Sequence, residues 1–146
     1  MRALPFALVL AFVCTACSSD STPTTPTTAT PPSPVTEIFK SSVVRLGTTS
    51  HTFVAAKAGT VNLTLTNIDP SAVAATQLVI GIGIPTLSSA GCSLTTTKTT
   101  APDTSTSPVP QLTALVDGGT FCVKVSDVGN LTVSQQAFFT LSIERP

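Results

Sequence analysis

Apolar and polar residues alternate with a period of two over short stretches from residue 37 onward, and residues with turn propensity separate these stretches. No stretch has the sustained period of 3.6 that an amphipathic helix needs. The pattern predicts an all-β fold, a single β-sandwich of the jelly-roll or Ig-like type with about seven to eight strands. Seven strands are predicted individually, at residues 38–46, 51–55, 60–66, 77–84, 111–116, 120–126 and 136–143.

The phase of the alternation also predicts which side chains face the core. In four of the strands, every second position carries a large aliphatic or phenyl group. The predicted inward-facing residues are Val61, Leu63, Leu65, Leu78, Ile80, Ile82, Ile84, Phe121, Val123, Val125, Phe139, Leu141 and Ile143. Asp117-Gly118-Gly119 predicts a tight turn, and residues 67–70 and 127–130 are predicted to end strands.

The chain opens with Arg2 and an apolar run of eleven residues at 3–13. A membrane-spanning helix needs about 20 such residues, so the run is interpreted as the core of a signal peptide. It ends in Val13-Cys14-Thr15-Ala16-Cys17, which resembles the lipobox of bacterial lipoproteins. The resemblance implies removal of residues 1–16 and an acyl anchor on Cys17 in the lipid bilayer. An ordinary secretory signal cut near Ala16 is the alternative.

The resemblance to a lipobox also implies a location in the cell envelope. Ser18, and not Asp, follows the acylated cysteine, which in Gram-negative lipoproteins permits sorting to the outer membrane. Residues 17–36 then form a linker, because sixteen of the nineteen residues from 18 to 36 are Ser, Thr or Pro and bury too little apolar surface to fold. The remaining residues, 37–146, are predicted to be the domain.

The cysteine count fits this processing. Cys14 leaves with the signal peptide and Cys17 is acylated, so Cys92 and Cys122 remain as an even pair in an exported domain. We therefore predict a disulfide between them. Because Cys122 is out of phase with Phe121 and Val123, the bridge is predicted on the outer face of a sheet.

Residues 95–110 follow Cys92, and twelve of these sixteen residues are Thr, Ser or Pro. The segment is too polar and too long for a strand, and it is interpreted as a disordered excursion or a binding loop.

Composition excludes several classes of function. The mature chain has six basic and seven acidic residues, since Arg2 leaves with the signal peptide, and a net charge of −1 provides no footprint for nucleic acid. His51 is the single histidine, and its place at the start of a strand favours a structural role over a catalytic triad. The chain is therefore predicted not to be an enzyme and to need no cofactor.

Binding of small ligands stays open. A His and Cys metal site lacks ligands, but Asp69, Asp117, Asp127 and Asn130 lie in turns and are weak candidates for calcium. The chain has no Trp and no Tyr, and Phe53, Phe121 and Phe139 are assigned to strand interiors. Only Phe39 and Phe138 are left to face solvent, so a lectin with an aromatic platform is not expected, whereas a polar, loop-based binder is not excluded.

The order of the strands is similar to that of the bacterial pre-peptidase C-terminal domains. The similarity lies in His51-Thr52-Phe53, in the strand patterns of residues 59–66, 78–82 and 119–125, and in the closing residues 139–143. It implies a compact β-sandwich of the kind appended to secreted hydrolases and surface proteins. The chain differs in having no Tyr at the aromatic positions and no catalytic neighbour.

These observations lead to one main hypothesis and two alternatives. The main hypothesis is a non-enzymatic lipoprotein of the cell envelope, whose sandwich is an adhesion or scaffolding module for another envelope protein or a polysaccharide. The first alternative is a module that binds polysaccharide or calcium through the turn acids and residues 95–110. The second is an inhibitor of secreted hydrolases that uses the same segment.

Overall fold

The computed structural model describes residues 33–146 except residue 74 and residues 88–90. The predicted signal peptide, Cys17 and most of the predicted linker lie outside these residues. The described part contains a single-turn 3-10 helix, Ser71–Val73, and eight strands. The strands are β1 (Val35–Val44), β2 (Thr48–Ala55), β3 (Gly59–Asp69), β4 (Leu78–Pro85), β5 (Cys92–Thr100), β6 (Leu112–Val116), β7 (Gly119–Ser126) and β8 (Gln136–Arg145).

The strands form two four-stranded sheets in which all paired neighbours are antiparallel. The first sheet has the order β1-β8-β3-β6 and the second β2-β7-β4-β5. Buried side chains of both sheets form one hydrophobic cluster between them. The protein is therefore a single β-sandwich, as the alternation predicted. Within the described residues, no helix is long and apolar enough to cross a membrane.

The core follows the predicted phase closely. Val61, Leu63 and Leu65 of β3 are buried, as are Phe139, Leu141 and Ile143 of β8. These residues face Ile80, Val123 and others of the second sheet in the cluster. Each fully buried aliphatic side chain stabilises the fold by about 1.5–3 kcal/mol relative to its exposure. The regular alternation of the two central strands of the first sheet is therefore the main sequence determinant of this fold.

Two predicted features at strand ends are wrong, and a β-bulge accounts for the first. The register of β3 against β8 shifts between Leu65 and Asn67, so β3 continues to Asp69 instead of ending at the predicted turn. The extra residue turns Ile68 into the core, where it is 2% exposed. In β4, Ile84 was predicted to face the core but is 50% exposed, and it lies just beyond Gly83, the last β4 residue that pairs with β7.

The largest error concerns residues 95–110, because residues 95–100 belong to a strand that was not predicted. β5 pairs with β4 along the edge of the second sheet. Its sequence, Thr-rich and without large apolar residues after Leu94, gives no alternation to detect. Threonine is nevertheless β-branched and favours extended backbone, and an edge strand with an exposed outer side needs no apolar face.

Candidate functional site

The disulfide between Cys92 and Cys122 is present, with a Cα–Cα distance of 5.7 Å. Cys122 lies opposite Gly83 of β4, on the face of the second sheet that points away from the core. It is nonetheless fully buried, at 0% exposure, because the start of β5 folds over it. The predicted pairing is therefore confirmed, and so is the outer face that the alternation assigned to Cys122.

Gly83 lets β5 cross to this bridge. A Cβ atom at Gly83 would lie 1.9 Å from the carbonyl oxygen of Ser93, far inside van der Waals contact. The backbone of β5 therefore crosses directly over Gly83 of β4. This crossing brings Cys92 of β5 to Cys122 of β7, although β4 lies between these two strands in the sheet. Glycine is needed here for close approach of two backbones.

Residues 101–111 form an ordered strap along β3. The backbone N–H groups of Asp103 and Gln111 donate to the carbonyl oxygens of Leu65 and Leu63. The Gln111 side chain accepts a hydrogen bond from the N–H of Leu65 and donates one to the carbonyl oxygen of Leu65. These bonds satisfy the backbone of β3 beyond the end of its pairing with β6. The interpretation of the segment as a disordered excursion without a strand is therefore wrong, whereas the alternative, a binding loop, stays a prediction.

Asp103 fixes the strap from its exposed side. Its carboxylate accepts hydrogen bonds from the backbone N–H groups of Val109 and Ser105, at 2.9 and 3.0 Å. The N–H of Val109 is the main cause that lowers the pKa of Asp103, followed by the hydrogen bonds from Ser105. This acid was not among the predicted site residues, and its role is to close a turn.

The four calcium candidates do not converge. Asp117 follows β6, whose last residue pairs with the first residue of β3, whereas Asp69 is the last residue of β3. At about 3.3 Å per residue, the two acids lie roughly 30 Å apart along that strand. Asp127 and Asn130 share one turn after β7, but the Asn130 amide donates to the carbonyl oxygen of Gln77. The arrangement provides no common set of oxygen ligands.

Asp127 is a structural acid. Its Oδ2 accepts from the N–H groups of Leu46 and Gly129, at 2.8 and 2.9 Å, and its Oδ1 from those of Asn130 and Leu131, at 3.0 and 3.1 Å. Desolvation is the largest single influence and raises the pKa of Asp127, but the four donors together outweigh it and hold the pKa below its ordinary value. The carboxylate joins the β1–β2 turn to the turn after β7.

His51 belongs to a polar cluster that links the two sheets at their β1 and β2 edges. Its Nε2 lies 2.5 Å from Oε1 of Glu37, and Arg145 of β8 donates from Nη2 to the other oxygen of Glu37 at 3.3 Å. Nη1 of Arg145 also donates to the carbonyl oxygen of Val54. The His51 ring stacks on Phe39, with centroids 4.9 Å apart. Phe39 is thus partly buried against the core, and only Phe138 of the two remaining phenylalanines is exposed.

The alternation in β1 contains a signal for this cluster, although no motif marks it. Glu37 has the same phase as Phe39 and Val43 in β1, so the alternation places a carboxylate on the inner face. An inward acid at the margin of a sandwich needs a cationic partner. His51 and Arg145 supply it from β2 and β8, and this is the role of the single histidine that the described contacts support.

An apolar cleft lies between β5 and β6. These are the edge strands of the two sheets on the side of the sandwich opposite β1 and β2. The cleft has a volume of about 650 Å³, with Ile82 and Phe121 at its base and threonines of β5 on one wall. Ile84 is 50% exposed and Leu115 is 85% exposed at its walls. No prediction from the sequence identified this surface.

A second, shallower depression of about 460 Å³ lies on the outer face of the first sheet. It is lined by residues of β1, β3 and β8, and Phe138 is 52% exposed there. The cleft and the depression are therefore on different faces of the sandwich. No protein-family model matches the chain, and no curated protein matches it.

Proposed function

We propose that the protein is a non-enzymatic, lipid-anchored attachment module of the cell envelope, whose β-sandwich binds another envelope protein. The lipobox-like sequence at Cys17 and the Ser, Thr and Pro-rich linker support the anchor and the spacer. Similarity to the pre-peptidase C-terminal domains supports an accessory role. The outer membrane is the proposed location, on the basis of Ser18.

The observation that carries the proposal is the cleft between β5 and β6. β6 has the sequence Leu-Thr-Ala-Leu-Val, without a charge or proline to protect its free edge. Leu115 and Ile84 expose apolar surface beside that edge, and an exposed apolar patch in a folded protein is typical of an interaction site. Free backbone groups on a sheet edge are recognised by another extended chain. We therefore propose that the cleft takes an extended apolar segment of the partner protein.

Site-specific photo-cross-linking in intact cells tests this function. A benzoylphenylalanine at Leu115 is expected to give one discrete protein adduct, and Ile84→Asp is expected to remove the adduct by placing a charge in the cleft. The matched control has the same photoreactive residue at Val133, which is 88% exposed outside the cleft. Equal adducts from both positions, or an adduct that survives Ile84→Asp, contradict the proposal.

An activity screen provides the complementary test. His51 is held by Glu37 and Phe39, and His51→Gln is expected to leave any hydrolytic background of the purified protein unchanged. Hydrolase activity that His51→Gln abolishes would contradict a non-enzymatic role. The hypothesis of a hydrolase inhibitor requires residues 95–110 to insert into a protease cleft, and the hydrogen bonds of the strap to β3 do not favour this insertion.

A further inference from the structure

The depression on the outer face of the first sheet is a regular grid of side chains from three neighbouring strands. Lys40 of β1 and Asn67 of β3 both lie opposite Thr140 of β8. Two residues further along each strand, on the same face, Ser42 and Asp69 both lie opposite Phe138. The two rows are therefore Lys40, Thr140, Asn67 and Ser42, Phe138, Asp69.

The spacing of the grid follows from sheet geometry. Neighbouring strands are about 4.8 Å apart, and residues on one face of a strand repeat about every 6.7 Å. The grid thus measures roughly 10 Å by 7 Å between Cα atoms, with the Phe138 ring in the middle of one row. This area accommodates one or two sugar rings, and 460 Å³ lies within the usual range for small-molecule sites.

Three of the polar side chains around Phe138 have no partner among the described residues, whereas the Ser42 hydroxyl accepts a hydrogen bond from Gln136. The side chains of Lys40, Asn67 and Asp69 form no hydrogen bond or ion pair with any residue that the structure describes. Lys40 and Asp69 lie at diagonal corners of the grid, about 12 Å apart by its dimensions. The free groups are therefore an ammonium donor, a carboxylate acceptor and an amide that does both.

The net charge of the grid favours a neutral ligand over a charged one. The positive and negative side chains balance, so the surface attracts neither a polyanion nor a polycation. A half-exposed phenyl ring provides a platform for an apolar ring face, and the surrounding donors and acceptors suit hydroxyl groups. A neutral polyhydroxylated ring has both an apolar face and peripheral hydroxyls.

The rest of the sheet leaves this patch open. The strap covers the other end of β3, where Pro108 and Pro110 lie near Thr64, and Thr64 is only 8% exposed although it points outward. β1 begins at Val35, seven residues before Ser42, so the preceding chain joins the sheet at the far end of the strand from the second row. At 3.3 Å per residue this separation is about 23 Å. Any spacer to a membrane therefore leaves from the opposite end.

From this geometry we infer that the Phe138 grid binds a neutral oligosaccharide chain, with one sugar ring stacked on Phe138 and its hydroxyls bonded to Asp69, Asn67 and Lys40. The site is separate from the β5–β6 cleft, and its ligand is a glycan and not a protein. The low aromatic content of the sequence argued against stacking sites in general. The register shows that one phenyl ring is at the centre of a polar grid.

Titration followed by NMR tests the inference. The chain from residue 17 onward, with Cys17→Ser to prevent acylation, is labelled with ¹⁵N and titrated with cellohexaose, chitohexaose, mannohexaose and maltohexaose. At least one hexasaccharide is expected to cause saturable shifts of the amides of residues 40–42, 67–69 and 138–140. Phe138→Ala is expected to weaken that binding about tenfold or more because it removes the ring platform of the grid.

Two controls separate stacking from general effects. Phe138→Tyr keeps the ring and is expected to retain the affinity within about threefold, and Leu115→Ala in the cleft is expected not to change it. The inference is overturned if none of the four sugars causes saturable shifts in the grid, or if Phe138→Ala leaves the affinity unchanged. Sugar-free shifts that grow with protein concentration and vanish in Phe138→Ala would also overturn it, because a second copy of the chain would then cover the patch. None of these results depends on the cross-linking at Leu115.

Discussion

Asp127→Asn should destabilise the domain strongly, although it changes only one atom of a small side chain. The carboxylate accepts four backbone hydrogen bonds, two on each oxygen. Asparagine keeps one carbonyl oxygen, which accepts two of them, and directs an NH₂ group at the other two N–H donors. Whichever way the amide is turned, two donors lose their acceptor and face another donor.

The magnitude follows from the burial of this turn. Asp127 is 4% exposed, and a hydrogen bond to a charged group contributes about 1.5–3 kcal/mol. Only the bond from Leu131 is fully buried, and the other three are partly buried, so water compensates part of their loss. We expect a decrease of about 2–4 kcal/mol in the free energy of unfolding, from a total of about 5–15 kcal/mol for a domain of this size. This corresponds to a decrease in Tm of about 8–16 °C.

Urea unfolding of the wild type and of Asp127→Asn, monitored by circular dichroism at pH 7, measures the change. Asp103→Asn is the matched control, because Asp103 also accepts two backbone hydrogen bonds but in an exposed turn, and its effect should be clearly smaller. If Asp103→Asn costs as much as Asp127→Asn, burial of the acceptor is not the determining factor and the reasoning fails.

The pH dependence gives a second measurement of the same group. The pKa of Asp127 in the folded state is held below its ordinary value, so its ionised form stabilises the fold above the unfolded pKa of about 3.9. This contribution is lost as the pH falls from about 4 through the folded-state pKa. The difference in stability between wild type and Asp127→Asn should therefore shrink below about pH 4. A difference that stays constant down to pH 2 would refute the assignment.

Three further predictions concern the bridge and the anchor. Cys122→Ser, or reduction of the bridge to Cys92, should lower the free energy of unfolding by about 3–4 kcal/mol in urea titrations, since the bridge closes a loop with a sequence separation of 30. Gly83→Ala should destabilise by about 2 kcal/mol or more through its clash with β5, whereas Gly118→Ala, whose new Cβ has 3.4 Å or more to its neighbours, should change stability by less than about 0.5 kcal/mol. Mass spectrometry of the protein from its native membrane should find Cys17 at the N-terminus and acylated; an unmodified Cys17 would contradict the anchor.

Most of the fold was predictable because its strands bury one face. Where large side chains recur at every second position, as in β3 and β8, the pattern predicted both the strand and its inner face. β5 has no buried face along its threonines, so the same criterion could not detect it. The bulge after Leu65 inserts one residue in β3 without a local marker, so Ile68 was assigned to a turn and not to the core.

The site residues also differ in whether they could be predicted without knowing how the strands pair. The bridge between Cys92 and Cys122 could be predicted by counting cysteines, since pairing needs no knowledge of the register. The grid around Phe138 depends on which residues of β1 and β3 lie opposite it, and that register is fixed by contacts distant in the sequence. Turn acids such as Asp127 were candidate ligands because both roles need carboxylate oxygens in a turn, and only the position of the backbone N–H groups distinguishes the two roles.

The bridge and the β5–β6 cleft are physically connected. The bridge holds the start of β5 over Gly83, on the outer face of the second sheet. This part of β5 therefore does not close over the inner side of β4, and Ile84 stays half exposed in the cleft that Leu115 also lines. Reduction should free β5 to move and change the walls of the cleft. We thus expect the adduct at Leu115 to weaken in reduced protein more than the stability loss alone explains, which would make an oxidising compartment a requirement for binding as well as for folding.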